Sequence, residues 1–375
     1  MDIKEFTLKE LEKEIETFEE KKFRARQIYD WIHKKLAMDF EEMTNLSKGL
    51  RQKLEKNYTL NQLELLDTLI SGDKSTSKFL FRLKKDGKKR QGSVIESVLM
   101  KYRHGNSVCI SSQAGCRMGC QFCASTLHGL ERNLTASEML DQVYHIQRSL
   151  GERISNIVVM GTGEPLDNYK ELLRFLSMIS DENGLHISQR NITVSTCGLV
   201  EYMDKLAEEN LQITLAISLH APNDEIRRKL MPIAKKYSIQ EILTSCDHYF
   251  EKTGRRISFE YSLIAGINDS LEQAEELSKL LLGRPCHVNL IPVNKIKERT
   301  FDHGSEDRIQ KFKLVLEKKH INVTIRREMG ADINAACGQL RKGYMDRNNI
   351  EATKEGKHEI LCKDRRRTQK DNQSG

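Results

Sequence analysis

From residue 107 onward the sequence alternates between short apolar runs and longer amphipathic stretches, which leaves few folds open to the chain. Strand candidates fall at 108–112, 157–160, 192–195, 213–219, 257–263 and 288–291, with a weaker seventh at 323–326. The stretches between them carry helical spacing. One of these, 135–150, opens on a Thr135/Glu138 capping box and stops at Gly151. Strands separated by helices predict a parallel sheet with right-handed crossovers. Six such units are too few to close an eight-stranded barrel. The expected class is α/β, with an open, partial (βα)6 barrel.

Two of the strand candidates carry more than a fold signal. In Ile213-Thr214-Leu215-Ala216-Ile217-Ser218-Leu219-His220 one face is aliphatic and the other small or polar, and Ile192-Thr193-Val194-Ser195 repeats the pattern. Helices normally cover both faces of a parallel sheet. Polar residues at the carboxyl ends of such strands therefore point to an enclosed ligand site.

Ahead of the barrel, residues 1–62 read as helices, with a charged helix over 7–23 and a basic one over 23–36. Residues 63–104 shift towards a period of two and form a β-hairpin extension. Its strands are 78–83 and 93–99, its turn is Asp86-Gly87, and Arg82, Lys84, Lys85, Lys88, Lys89 and Arg90 flank the turn. That charge suits phosphate contacts as well as solubility. Residues 105–340 make the barrel, and the basic stretch 341–375 loses periodicity and reads as a disordered tail.

The chain has 61 Lys and Arg against 54 Asp and Glu, a net charge of +7 that permits a polyanionic partner. Mean hydropathy is −0.57, and no apolar run approaches the roughly 18 residues of a membrane span. The start, Met1-Asp2-Ile3-Lys4-Glu5, lacks a basic region leading into an apolar one, so the expected location is cytoplasmic. Nine cysteines in such a chain argue for thiols, metal ligands or catalysis rather than a disulfide framework.

Three of those cysteines stand together in Cys116-Arg117-Met118-Gly119-Cys120-Gln121-Phe122-Cys123, in the loop after the first parallel strand. Three thiolates at this spacing can take three corners of an iron–sulfur cubane and leave one iron open. A structural zinc is the alternative, but it asks for four ligands, and Cys109 on the strand is poorly placed to supply one.

This motif resembles the signature of the radical S-adenosylmethionine (SAM) superfamily. Met160-Gly161-Thr162-Gly163-Glu164-Pro165 is similar to the superfamily's element for the methionine amino group. Val108-Cys109-Ile110-Ser111-Ser112-Gln113, Cys123-Ala124-Ser125-Thr126 and Ile333-Asn334-Ala335-Ala336-Cys337-Gly338-Gln339-Leu340 narrow the resemblance to the RlmN/Cfr group of RNA adenine methyltransferases. It runs from about residue 23 to 340.

The resemblance implies a 4Fe–4S cluster on Cys116, Cys120 and Cys123. It places S-adenosylmethionine against Gly163, Glu164, Ser195, Ser218, Leu219, His220 and Asn294. It implies that Cys337 carries a methyl group, that Cys109 resolves the protein–RNA adduct through a transient disulfide, and that Glu96 accepts a proton. The substrates it implies are adenosine 2503 of 23S rRNA and adenosine 37 of certain tRNAs, methylated at C2. The Cfr branch, which methylates C8 of the same rRNA base and confers antibiotic resistance, is the alternative. Gly163-Glu164-Pro165-Leu166 and Cys123-Ala124-Ser125-Thr126 resemble the C2 branch. An electron donor such as flavodoxin or ferredoxin, a monomeric state and a radical-SAM form of the partial barrel complete the expectation. A radical activase would share Cys116, Cys120 and Cys123 but have no use for Cys337 and Cys109, and a non-catalytic RNA-binding protein would leave the strand-end polar residues unexplained. Cys197, Cys246, Cys286 and Cys362 match no motif position.

Overall fold

Apolar runs buried on both faces form the sheet, and capped amphipathic helices cover it. The computed structural model describes residues 1–60, 63–84, 92–294, 300–327 and 329–339. The chain opens with α1 (Leu8–Glu16), α2 (Phe23–His33) and α3 (Lys48–Asn57). Strands β1 (Glu64–Ile70), β2 (Thr76–Arg82), β3 (Val94–Tyr102) and β4 (Gly105–Cys109) follow. A short pair, β5 (Gln113–Gly115) and β6 (Leu130–Asn133), brackets a loop. Helix and strand then alternate through α4 (Ala136–Leu150), β7 (Ile154–Val159), α5 (Tyr169–Ile179), β8 (Ile192–Thr196), α6 (Val200–Glu208) and β9 (Thr214–Ser218). The series ends with α7 (Asp224–Leu230), α8 (Ile239–Thr253), β10 (Ile257–Leu263), α9 (Leu271–Leu281), β11 (Cys286–Pro292), α10 (Glu306–Lys318) and β12 (Asn322–Ile325).

The main sheet has ten strands in the order β1-β2-β3-β4-β7-β8-β9-β10-β11-β12. From β4 to β12 every neighbouring pair is parallel, and each new strand joins the same outer edge. That one-way winding of parallel strands gives the open, partial α/β barrel that the sequence predicts. All seven expected strands form, with ends shifted by a few residues. The helices start where side chains can cap them: Thr135 with Glu138, Ser238 with Glu241 and Ser270 with Gln273 form capping boxes. Gly151 and Gly254 close α4 and α8 in the left-handed conformation.

The structure redraws the region before the barrel. The charged stretch 7–23 stops being helical at Glu16, where Thr17 and a left-handed Glu19 turn the chain. The basic helix ends at His33, because a left-handed Leu36 brings the Ala37 N–H onto the Trp31 carbonyl. The hairpin is part of a larger antiparallel meander, β1 to β4, with a bulge between Leu65 and Asp67, and it shares one continuous sheet with the barrel. The turn at Asp86-Gly87 and the tail 341–375 lie outside the described residues.

Helices α1 to α3 enclose a second apolar cluster around Ile28, Tyr29 and Leu50. Polar contacts dock it on α4 and α5. His33 Nδ1 is hydrogen-bonded to the Tyr144 hydroxyl at 2.7 Å, Lys4 pairs with Asp141 at 3.3 Å, and Arg174 Nε donates to the Glu5 carbonyl at 2.7 Å. No helix among the described residues is long and apolar enough to cross a membrane.

Candidate active site

The carboxyl ends of the parallel strands surround a cavity of about 1030 Å³, counting its open mouth. Cys116, Cys120 and Cys123 form one wall. Their loop is held by backbone bonds: Cys116 N–H to Gly129 O at 3.1 Å, Gln121 N–H to Leu230 O at 2.9 Å, and Ala124 N–H to Gly338 O at 2.7 Å. Gly119 sits at φ 74°, and a Cβ there would lie 3.3 Å from the Pro232 ring, so the loop turns where only glycine fits without strain.

The three thiols interact electrostatically with one another. Burial pushes Cys116 up to about 12, Cys120 well above a free thiol, and Cys123 up as well. Among the described residues no three His, Cys, Asp or Glu converge as ligands on a single ion. A cubane asks for a different arrangement, with one thiolate at each of three corners. Three thiols along one cavity wall fit that arrangement, and taking up the cluster requires them to lose their protons.

The turn after β7 also presents Gly163 and Glu164 to the cavity. A Cβ on Gly161 would come within 2.7 Å of the Ile110 carbonyl, and one on Gly163, at φ 114°, within 2.6 Å of the Gln113 side chain. Glu164 is buried, and each of its carboxylate oxygens accepts a backbone N–H, from Leu166 at 3.0 Å and Cys197 at 2.8 Å. Burial still raises its pKa, and those hydrogen bonds pull it back.

Ser195, Ser218, His220 and Asn294 complete the expected lining. The two serine hydroxyls are 3.5 Å apart. His220 occupies the left-handed region at φ 55°, uncommon for a side chain of this size. Its Nδ1 accepts the Ser262 N–H at 2.9 Å, which leaves the proton on Nε2. Burial, with the nearby Arg227 charge, lowers its pKa to about 3, so the ring is neutral. Leu219 differs: its side chain is in the core and its N–H binds the Glu260 carbonyl, so only its backbone is close to the site.

A second cavity adjoins the first, lined by Val98, Met100 and Cys109. Cys337, Asn294, Met160 and Arg326 line both. Asn294 Nδ2 donates to the Cys337 carbonyl at 3.3 Å. Cys109 is buried, and its thiol is pushed up to about 12, first by burial and then by the neighbouring Cys337, against the pull of Arg326. Glu96 lines neither cavity. It lies buried on β3, on the same face as Val98 and Met100, 3.5 Å from Lys78 Nζ. Lys78 also donates to the Asn334 carbonyl at 3.0 Å, which ties Glu96 to the segment carrying Cys337.

The sequence reading missed Glu260 and Arg326. Glu260 lines the first cavity, and its Oε2 has no hydrogen-bond partner, although it lies 3.8 Å from Arg326. The signal was present: Ser258, Glu260 and Ser262 alternate along β10, as the polar residues of β8 and β9 do. Arg326 follows a short final strand and leaves no comparable pattern.

Residues 1–60 match the ribosomal RNA large subunit methyltransferase N-terminal domain family, and residues 110–281 match the radical SAM superfamily. A probable dual-specificity RNA methyltransferase RlmN of Lachnoclostridium phytofermentans is 61% identical, over 94% of this chain and 97% of that protein. A protein of the same name from Lachnospira eligens is 58% identical, over 92% and 97%. The crystal structure of a radical SAM methyltransferase from Sphaerobacter thermophilus superposes with a TM-score of 0.86 at 44% identity, covering 91% of this chain and 99% of that one. Identity at this level along nearly the full length of both chains makes the protein a member of the RlmN family of RNA methyltransferases, within the radical SAM superfamily.

Proposed function

We propose that the protein methylates C2 of adenosine 2503 in 23S rRNA and of adenosine 37 in tRNAs, through a methyl group carried on Cys337. The observation that carries this reading is the position of Cys337 on the boundary between two cavities, one lined by three cluster-type cysteines and the other by Cys109. Family membership supplies the substrate class.

A 4Fe–4S cluster and S-adenosylmethionine are the cofactors of the superfamily, and together they supply a 5′-deoxyadenosyl radical. Cys116, Cys120 and Cys123 would hold the cluster. Glu164, Ser195, Ser218, His220 and Asn294, with the backbone at Gly163 and Leu219, would hold S-adenosylmethionine. Cys337 presents its thioether methyl at the cavity boundary, where loss of a hydrogen atom lets that carbon bond to the adenine ring. Glu96, on the β3 face that presents Val98 and Met100 to the second cavity, would take up the proton that the ring then loses, while the adduct's unpaired electron would pass to the redox centre that the three cysteines would hold. The thiolate of Cys109 would attack the Cys337 sulfur, forming a disulfide as the sulfur–carbon bond breaks; the electron pair of that bond stays with the methylene carbon, which takes up a proton to become the methyl group as the base leaves.

Residues 1–62, with the 63–104 extension, would bind RNA in front of the 105–340 barrel. The chain would act in the cytoplasm as a monomer, with a low-potential carrier such as flavodoxin or ferredoxin as electron donor.

Nucleoside analysis of 23S rRNA and tRNA, treated with the cluster-loaded protein, tests the reading. 2-Methyladenosine in both is the expected result. 8-Methyladenosine would assign the protein to the other branch, and no methyladenosine would overturn the proposal.

A further inference from the structure

Arg227, on α7, is the largest fully buried side chain of the described residues. Its guanidinium meets only backbone carbonyls: Cys197 O at 2.7 Å, Leu219 O at 3.3 Å, Tyr237 O at 3.4 Å and Ser218 O at 3.5 Å. Carbonyl dipoles satisfy its donors but do not cancel its charge. A buried cation without an anion is costly, and proteins normally pair it.

The missing anion has a place. Cys197 and Ser218, whose carbonyls hold the guanidinium, line the first cavity beside Cys120. The helix that carries Arg227 also holds the cysteine loop through the Leu230 carbonyl, and the Pro232 ring just after it lies against Gly119. Cys197 and Cys120 are the neighbours whose ionisation would act most strongly on Arg227, ahead of the Asp224 carboxylate at the start of its own helix.

We propose that Arg227 is the built-in counter-charge of the iron–sulfur cluster, a positioning residue that sets how readily the cluster accepts its electron. This rests on the assignment of Cys116, Cys120 and Cys123 as cluster ligands. The cluster with its thiolates is anionic, and reduction adds one more negative charge. A fixed cation in the low-dielectric wall stabilises the reduced form more than the oxidised one, and so raises the potential. Without the cluster, only the Asp224 carboxylate, which accepts from the Ile239 N–H rather than from the guanidinium, offsets the burial of this cation.

The test is an EPR-monitored titration with dithionite of the cluster-loaded wild type, Arg227→Lys and Arg227→Gln, with iron and sulfide measured in each. Lys keeps the charge and Gln keeps donors for the carbonyls. The expected result is a midpoint near wild type for Lys and a shift to more negative potential for Gln. An unchanged midpoint in Gln at full iron content overturns the proposal, as does an equal shift in both variants. If a variant fails to take up iron, thermal melts of the iron-free chains decide. A counter-charge leaves iron-free Arg227→Gln at least as stable as iron-free wild type, because an unpaired buried charge has been removed. A mere clip on the carbonyls would lower its melting temperature as much as that of Arg227→Lys, and that result refutes the idea. A wild type that binds no iron and sulfide would instead overturn the cluster assignment itself.

Discussion

Cys109 and Cys337 have different surroundings and different assigned steps, so their loss should look different. Cys337 lies at the cavity boundary, while Cys109 is buried behind it at the end of β4, with its thiol pushed up to about 12. Cys337→Ala removes the methyl carrier, so no adduct forms. Cys109→Ala leaves carrier and addition intact and stalls at resolution, with RNA attached to the protein. A denaturing gel before and after ribonuclease should show a ribonuclease-sensitive shifted band for Cys109→Ala alone; the band in Cys337→Ala, or in neither, would sink the assignment. Lys78 offers a second test at this scale, because it is buried between Glu96 and the Asn334 carbonyl. Lys78→Met leaves both acceptors buried and should cost about 3 kcal/mol or more in urea unfolding. Adding Glu96→Gln should recover part of that loss, and strict additivity would show that the pair is not coupled. Much of the site is legible in sequence because its residues come in short runs: the cysteine loop, the Gly163-Glu164 turn and the Cys337 segment. Lys78 and Arg326 were not, since each acquires its meaning from a partner far along the chain, whereas Glu260 shows itself by alternating with Ser258 and Ser262.

At the scale of elements, the barrel strands were legible because the face packed under the helices must be apolar, as Ile257, Phe259, Tyr261 and Leu263 are on β10, while small or polar residues alternate with them. Helix ends were legible where a side chain caps them, as at Thr135. What failed was long-range pairing. Nothing local in 64–70 says that β1 will add to the outer edge of the hairpin, nor in 105–109 that β4 will pair with both β3 and β7 and join hairpin and barrel in one sheet. The docking of α2 on α4 was also unreadable, and it yields a pH prediction. Burial, followed by the Lys4 charge, lowers the His33 pKa to about 3 from an ordinary 6.5. Between those values the unfolded chain binds a proton that the folded chain does not, so this group makes stability fall as pH falls below 6.5. The burial of Asp141, raised to about 7, works in the opposite sense over part of that range, but it is common to both proteins compared. Wild type should therefore lose about 3 kcal/mol more than His33→Gln between pH 6.5 and pH 4, at about 1.4 kcal/mol per pH unit. Urea midpoints across the range measure it, and parallel curves would contradict it.

For the whole molecule, the question is how a chain with a net charge of only +7 holds a large polyanion in register. An even spread of charge would give weak, unoriented attraction, whereas a local cluster orients as well as attracts. The densest such cluster between the two ends of the described barrel sheet is the basic run joining β2 to β3, with Lys84 at its described edge and Lys85, Lys88 and Lys89 beyond it. β3 is also the strand whose Val98 and Met100 line the cavity shared by Cys109 and Cys337, so a phosphate grip at its start would bear on where the adenine enters. Each lysine that neutralises a phosphate releases counterions and adds about 1 to the slope of log affinity against log salt. Replacing Lys84, Lys85, Lys88 and Lys89 with Gln should therefore weaken RNA binding, and reduce that slope by about 1 for each lysine that contacts phosphate. Cluster content and the rate at saturating RNA should stay as in wild type: Lys84, the one of the four among the described residues, lines neither cavity. Binding measured from low to moderate salt separates the two roles. A smaller slope places the run on the RNA backbone, while an unchanged slope with normal affinity leaves it as solubilising charge and returns the task of orienting RNA to the helices of residues 1–60.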